Sequence, residues 1–456
     1  MKKNQQGHIL LISVIFFAVI LALVAGLMQY VMQNTQGGRL ALAEEQAQQI
    51  TDGAIDKAVF RLNSTAGAYT GETGSVLGNG TFDVTVANVA GGNKEITVTA
   101  YIPNSANPVV TKEVKVEATI DSTTVNFNYG VQVGQGGIQM NSNSRVNGNV
   151  YSNGNIIGSS GTRITGTAIA AGSTGKIDNM IVNGNAAAHF LEDITVGGSS
   201  SSASLLRATV GANAISDSIS NCTIGGNAAY DTRVSCTIGG TVTTPNPDTF
   251  IDPAILPLPL SSTQLTDWEN EALVGGTIGS QTLSGNQTLG PVQINGNLTL
   301  TNNAVLTLNG TVWVTGTITL SNNVTVRLAS SYGSGSGVLL GGTAGSSTNG
   351  VMNLSNNVIM QGSGTAGSYL LVVSQRNDTV NPAMIISNNV TGAIFYAGTG
   401  VIQLSNNSGA EEVTAYKIVL DNNAVVTYTT GLANVEFTSG PGGLWVVQRG
   451  TWRETD

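Results

Sequence analysis

The stretch that decides the fold is Leu300-Thr301-Asn302-Asn303 and its returns: Leu320-Ser321-Asn322-Asn323, Leu354-Ser355-Asn356-Asn357, Ile386-Ser387-Asn388-Asn389, Leu404-Ser405-Asn406-Asn407 and Leu420-Asp421-Asn422-Asn423. Subtracting the numbers of successive first asparagines gives steps of 20, 34, 32, 18 and 16. These steps suggest one coil of about 16–20 residues, with the two long steps spanning two coils each. Val146-Asn147-Gly148-Asn149 and Ile294-Asn295-Gly296-Asn297 read as looser copies. Each unit joins a strand of alternating aliphatic and hydroxyl residues to a turn where Asn tolerates left-handed backbone angles. A single coil cannot bury its aliphatic edge, so coils must stack, each continuing its neighbour's core. The expected architecture is a parallel β-helix, with asparagines stacked at one corner into hydrogen-bonded ladders. Such ladders account for the Asn abundance without a ligand.

Working outward, the solenoid begins near Phe127 and is interrupted once. Five of the ten prolines lie between Pro245 and Pro259, followed by Thr263-Gln264-Leu265-Thr266-Asp267-Trp268-Glu269-Asn270-Glu271-Ala272. This reads as a semi-rigid connector and a helix of one or two turns with a Thr N-cap, crossing or capping the coils between an earlier part (126–244) and a later part (277–456). Trp268 is expected to pack on the solenoid rather than bind carbohydrate. Cys222-Thr223-Ile224-Gly225-Gly226 and Cys236-Thr237-Ile238-Gly239-Gly240 form a second duplication. A Cys222–Cys236 disulfide closing a loop of about 14 residues is favoured over stacked free thiols.

Before the solenoid, Thr81–Val86, Lys94–Ala100 and Val109–Thr119 alternate as short strands around Gly91-Gly92-Asn93 and Pro103-Asn104, giving a small antiparallel β head over 63–125. The stretch Tyr69–Ile120 holds nothing resembling a site. Ahead of it, Ile9–Met28 is an uncharged apolar run of about 20 residues, enough to span the hydrocarbon layer. Lys2 and Lys3 place the amino end in the cytoplasm and send the remainder outward. Beyond the run, Leu40, Ala43, Ala47, Ile50, Ala54, Ala58 and Leu62 recur at helical spacing, with Glu44, Glu45, Asp52, Asp56 and Lys57 on the other sides. Gly37 and Gly38 are expected to weaken or kink this rod. The fold class is therefore mainly β with a long N-terminal α-helix: a membrane and stem helix over 8–62, the small sheet, then the solenoid with its 245–276 connector. An ordinary single-pass anchor with a juxtamembrane helix is the plainer reading of the same segment.

The short Lys-bearing leader (1–7) ending in Gly7, followed at once by His8-Ile9-Leu10-Leu11, resembles a class III prepilin signal. The stretch from Ala43-Glu44-Glu45 to Asp52-Gly53-Ala54-Ile55-Asp56-Lys57-Ala58 is similar to the stem of PilX-like minor pilins of type IV pili. The resemblance runs from Met1 to about Leu62. It implies cleavage between Gly7 and His8 by prepilin peptidase, N-methylation of His8, and partnership with other pilin or pseudopilin subunits through the helix. Major pilins carry Glu at the fifth mature position, where this chain has Ile12, and usually begin on Phe or Met where it has His8. Absence of that Glu is a feature of PilX-like and secretion-pseudopilin tip subunits, so a minor or tip subunit is implied. The passenger is similar to parallel β-helices of bactofilin or adhesin type, which implies surface adhesion or assembly initiation, with surface glycan or a host or abiotic surface as further partners. The alternative is a membrane-anchored adhesin or stalk that is not a pilin.

Composition bears on the remaining classes. Charged residues make up only 10% of the 456 and the formal charge is −9, with 18 Lys plus Arg and no basic block, so nucleic acid is an unsuitable partner. Two Cys and two His, unclustered, cannot fill the usual zinc ligand sets, and no cofactor is expected. A β-helix glycan-active enzyme would need paired carboxylates. Between Thr277 and Gln375 the only charged side chain is Arg327. Arg376-Asn377-Asp378-Thr379 has the wrong order for a pectinase-type motif, Glu411 and Glu412 should point to opposite faces of a strand, and His189 reads as a packed or surface histidine. No catalytic residue is expected. The Asn-x-Thr sequons at Asn297 and Asn323 occur by chance in so Asn- and Thr-rich a chain.

Overall fold

The computed structural model describes residues 6–65, 67–89, 93–120, 122–159, 161–248, 250–438 and 445–455. The chain divides into two compact units: Met1–Thr119 with Trp445–Asp456, and Ile120–Leu444.

In the first unit a single helix, α1 (Gln6–Ser64), runs unbroken through Gly37 and Gly38, so the weakening expected there does not interrupt it. Its second half lies on an antiparallel meander of β1 (Gly71–Leu77), β2 (Gly80–Asn88), β3 (Lys94–Ile102) and β4 (Val110–Ile120). The small-residue stripe explains the close fit. Ala47, Ala54, Ala58 and Leu62 are fully buried, with Ile50 nearly so, and Phe82, Val84, Ile96, Val98, Ala100, Val114 and Val116 are buried on the alternating positions of the sheet. Leu40, placed on this stripe by spacing, is exposed. The expected 277–456 part also ends differently, because its last strands belong to the head. Trp445–Val447 continues the sheet beyond β4, and Arg453–Thr455 pairs antiparallel with β4, Glu113 opposite Thr455. Asn63 fixes the return, its Oδ1 accepting from Trp445 N at 2.5 Å. The solenoid is thus inserted between β4 and the closing strands of the head.

The second unit is a parallel β-solenoid of about 16 turns. Each coil has three faces, represented by Val312–Val314, Ile318–Ser321 and Val305–Leu308. Ile318 pairs in register with Met352, and Met352 with Met384, so each of the two long steps is a single coil rather than two. Their extra length is carried by loops at the corners, such as the 3-10 turn Ser330–Tyr332. In the earlier part the coils are shorter, Ala186 pairing Ser200, Ser200 pairing Ala214 and Ala214 pairing Ala228.

The two parts stack in the opposite order from the chain. Strand Glu412–Leu420 lies directly on Val131–Met140, with Val413 opposite Val131 and Ile418 opposite Ile138, and Val425 opposes Arg145. One continuous aliphatic column results, Leu298-Ile318-Met352-Met384-Ile402-Ile418 from the later part leading into Ile138-Ile156-Ile177-Leu191-Leu205-Ile219 from the earlier. The connector does not stand between the parts. It travels back along the outside of the coils, where Pro253 O accepts from Gly172 N at 2.9 Å, Leu256 and Asn153 bond reciprocally at 2.7 and 3.0 Å, Pro257 O accepts from Gln132 Nε2 at 2.8 Å and Leu260 O from Tyr396 Oη at 3.3 Å. A Pro-rich strap suits this role, because it offers carbonyls without needing partners for every N–H. It ends in α2 (Ser262–Val274), capped by Ser261 with Gln264 in a reciprocal capping box, so the cap lies two residues before the expected Thr and the helix is longer than one or two turns. Trp268 is 2% exposed and meets Phe437 edge-on at 5.7 Å, within an apolar layer on the outside of the coils.

The paired asparagines form the corner between the second and third faces. Both members of every pair have positive φ, from 46° at Asn422 to 63° at Asn303. Their side chains stack as two ladders: Asn356 Nδ2 donates to Asn322 Oδ1 and Asn388 Nδ2 to Asn356 Oδ1, each at 3.0 Å, Asn406 Nδ2 donates to Asn388 Oδ1 at 2.9 Å, and Asn357 and Asn389 repeat the pattern beside them. The looser copies at Asn147-Gly148-Asn149 and Asn295-Gly296-Asn297 lie at other corners. There the amide oxygen accepts from the next coil's backbone, Asn149 Oδ1 from Thr167 N and Asn297 Oδ1 from Thr317 N, both at 2.9 Å.

Candidate functional site

Gly7 and His8 lie in the first turns of α1; Lys2 and Lys3 fall outside the described residues. From Leu10 to Met32 the large apolar side chains are exposed, Leu10 at 71%, Ile12 at 63% and Phe17 at 70%. This helix is long and apolar enough to cross a membrane by length and composition, its best window reaching a mean hydropathy of 3.0. Charge enters only further along, where Gln48 Nε2 donates to Asp52 at 2.8 Å and Lys57 pairs with Glu72 at 2.5 Å. The segment thus changes character within one unbroken helix, from an exposed apolar rod to a stripe buried on its own sheet.

In the solenoid, the carboxylates and the histidine singled out by sequence are held in separate structural arrangements. Asp378 accepts from Arg376 Nη2 at 2.8 Å, from the backbone N–H groups of Val380 and Asn381 at 2.9 and 2.8 Å, and from Asn381 Nδ2 at 2.9 Å. The guanidinium, followed by these other donors, holds its carboxyl well below the usual range, which makes it a turn-organising anion and a poor base. His189 Nδ1 lies 2.8 Å from Asp252 Oδ1, with Phe190 and Phe250 edge-on to its ring, and so clasps the connector to a coil. Glu412 is fully buried and accepts from Thr414 Oγ1 at 2.5 Å; burial pushes its carboxyl well above the ordinary value, and pushes Glu411 up as well. Glu412 pairs in register with Ile394, whose neighbour Phe395 faces the solenoid interior, and so lies on the outer side of the strand beneath the covering layer. Among the described residues no group of three or more His, Cys, Asp or Glu is arranged to hold a metal ion.

Cys222 and Cys236 are joined in a disulfide with Cα atoms 4.5 Å apart. Each follows a residue of positive φ, Asn221 and Ser235, in a series that includes Asn179, Asp193 and Arg207, one to a coil. That corner turns the next side chain inward, so both sulfurs are buried in the core between neighbouring coils. Unreduced protein should show no free thiol in a denaturing thiol assay, and replacing both cysteines with Ser should cost about 3 kcal/mol on the chain-entropy account. Two free thiols in the native chain would exclude the bond.

One further pair of charged side chains meets on the solenoid surface. Arg145 and Arg163 are brought side by side on the outer surface of the third face. Their signal was present as Arg145-Val146-Asn147-Gly148-Asn149 and Arg163-Ile164-Thr165-Gly166-Thr167, the same pattern one coil apart. No family model, curated protein or solved structure matches this chain.

Proposed function

We propose that this chain is a pilin-like structural subunit of a type IV pilus or related fibre, a minor or tip component that displays its β-helix for surface adhesion or assembly initiation. The observation that carries the reading is α1 itself: one 59-residue helix whose first half exposes apolar side chains all round and whose second half is buried on a four-stranded meander. Such a helix can be stored in a bilayer and then transferred among other stems, because both surroundings accept the same apolar surface. The Gly7-His8 junction supports processing by prepilin peptidase and N-methylation of His8, with the leader cytoplasmic and the remainder at the cell surface. Scarcity of charge along the solenoid, together with the structural engagement of Asp378 and His189, supports a non-enzymatic role.

The second reading, a membrane-anchored adhesin or stalk, is favoured by the same helix if the leader is retained. Mass spectrometry of the mature amino terminus separates the two. N-methyl-His8 is the expected result, and Gly7→Val should abolish processing. A surface protein that still carries Met1–Gly7 would overturn the pilin reading and leave the anchor.

A further inference from the structure

Strands Arg145–Asn147 and Arg163–Ile164 pair in parallel with Arg163 directly opposite Arg145. Neighbouring strands lie about 4.8 Å apart, so two exposed guanidinium side chains leave the same face next to each other. Like charges placed directly opposite destabilise a sheet. Five other cations of the solenoid are engaged, Lys417 not among them: Lys176 and Arg207 lie within a ladder formed with Asp178, Glu192 and Asp193, Arg376 is held by Asp378, Arg233 donates to Cys236 O and Arg327 to Thr307. Among the described residues, Arg145 and Arg163 have no such partner.

The two arginines open onto a cleft of about 530 Å³ whose other side chains are Asn143, Thr165, Asn183 and Asn423, with no carboxylate among them. Beside it, Asn147 Nδ2 donates to Thr427 Oγ1 at 3.1 Å, extending a row of amides and hydroxyls along the coils. Guanidinium forks match planar carboxylate and sulfate oxygens through paired N–H donors. Amides and hydroxyls both donate and accept, as the hydroxyls of a sugar require. A nucleic acid backbone would call for a larger set of cations than two arginines on a chain of net charge −9.

We propose that the cleft over Arg145 and Arg163 binds an anionic saccharide, its carboxylate or sulfate groups held by the two guanidiniums and its hydroxyls by the flanking Asn and Thr side chains. This rests on the adhesive role proposed for the solenoid and is independent of whether the stem enters a fibre; the mature amino terminus tests that question separately.

The test is calorimetric titration of the full chain in detergent, at low salt, with an oligogalacturonate, a heparin-derived oligosaccharide, a neutral dextran oligosaccharide, inorganic sulfate and a single-stranded oligonucleotide. At least one acidic oligosaccharide should bind in preference to dextran and weaken with added salt. The double variant Arg145→Gln with Arg163→Gln should lose about tenfold in affinity or more, while its thermal midpoint stays level or rises as the like-charge contact disappears. Whether the uronate or the sulfated chain binds more tightly identifies the acidic group. The proposal is overturned if neither acidic oligosaccharide exceeds dextran, if the double variant binds as well as the parent, or if sulfate alone or the oligonucleotide binds as tightly as the saccharides.

Discussion

Ile418→Asp is expected to unfold most of the solenoid. Ile418 is fully buried and stacks between Ile402 and Ile138, at the seam where the later part of the chain meets the earlier. Removing its side chain alone should cost about 2–5 kcal/mol, and an unpaired carboxylate in the same place adds several kcal/mol more. Position in the stack decides how far the damage spreads, because a solenoid is held together by contacts between neighbouring coils. Ile219→Asp makes the same chemical change near the end of the column, beyond which Ile219 is opposed by Arg233 rather than an aliphatic side chain. It should fray the last coils and spare the rest. Hydrogen exchange on the two variants reads the difference. Had the parts stacked in chain order, Ile418 would lie in a terminal coil; mild, local loss of protection in Ile418→Asp would therefore refute the inverted order.

The second large effect is a dependence on pH centred on Glu412. Burial raises its folded-state value well above the ordinary 4.5, while Thr414 Oγ1 donates to one carboxyl oxygen and Oε2 has no hydrogen-bond partner. The protonated form is thus favoured in the folded chain, and unfolding releases a proton wherever the pH lies between the unfolded and folded values. Stability should be greatest below about pH 4.5 as far as this group is concerned. It should then decline with rising pH, by up to about 1.4 kcal/mol per pH unit, until the folded-state value is passed. Glu412→Gln keeps a neutral polar side chain at the site and should remove this slope. Denaturant unfolding of both proteins across pH 4–9 measures it; a stability difference that does not change with pH would show that Glu412 ionises freely in the fold.

The parts of the molecule that were legible in sequence are those written in local chemistry. Paired asparagines specify a corner of positive φ because few other residues accept two such angles in succession. Alternating aliphatic residues specify strands buried on one edge, and Ala43, Ala47, Ala54 and Ala58 specify where a helix can lie close to a sheet. Coil length was less legible. The steps from Asn322 to Asn356 and from Asn356 to Asn388 looked like double coils because an insertion at a corner leaves no mark on the repeat on either side of it. Similarly, Trp445–Val447 and Arg453–Thr455 carry no signal that distinguishes a closing strand of the head from one more coil. The arginine cleft was hidden for another reason: Arg145 and Arg163 are well separated along the chain, and only the length of the intervening coil makes them neighbours.

By itself, then, the sequence determined the kinds of structure present: an apolar stem continuing into an amphipathic one, a small antiparallel sheet, and stacked coils with asparagine corners. The tertiary structure decided which coils touch. The interior coils offer similar aliphatic edges, so local pattern alone does not select which pair of edges stacks. Chain order is broken because the strap over 245–260 carries the chain along the outside of the coils to α2, from where the later part builds back until Ile418 meets Ile138.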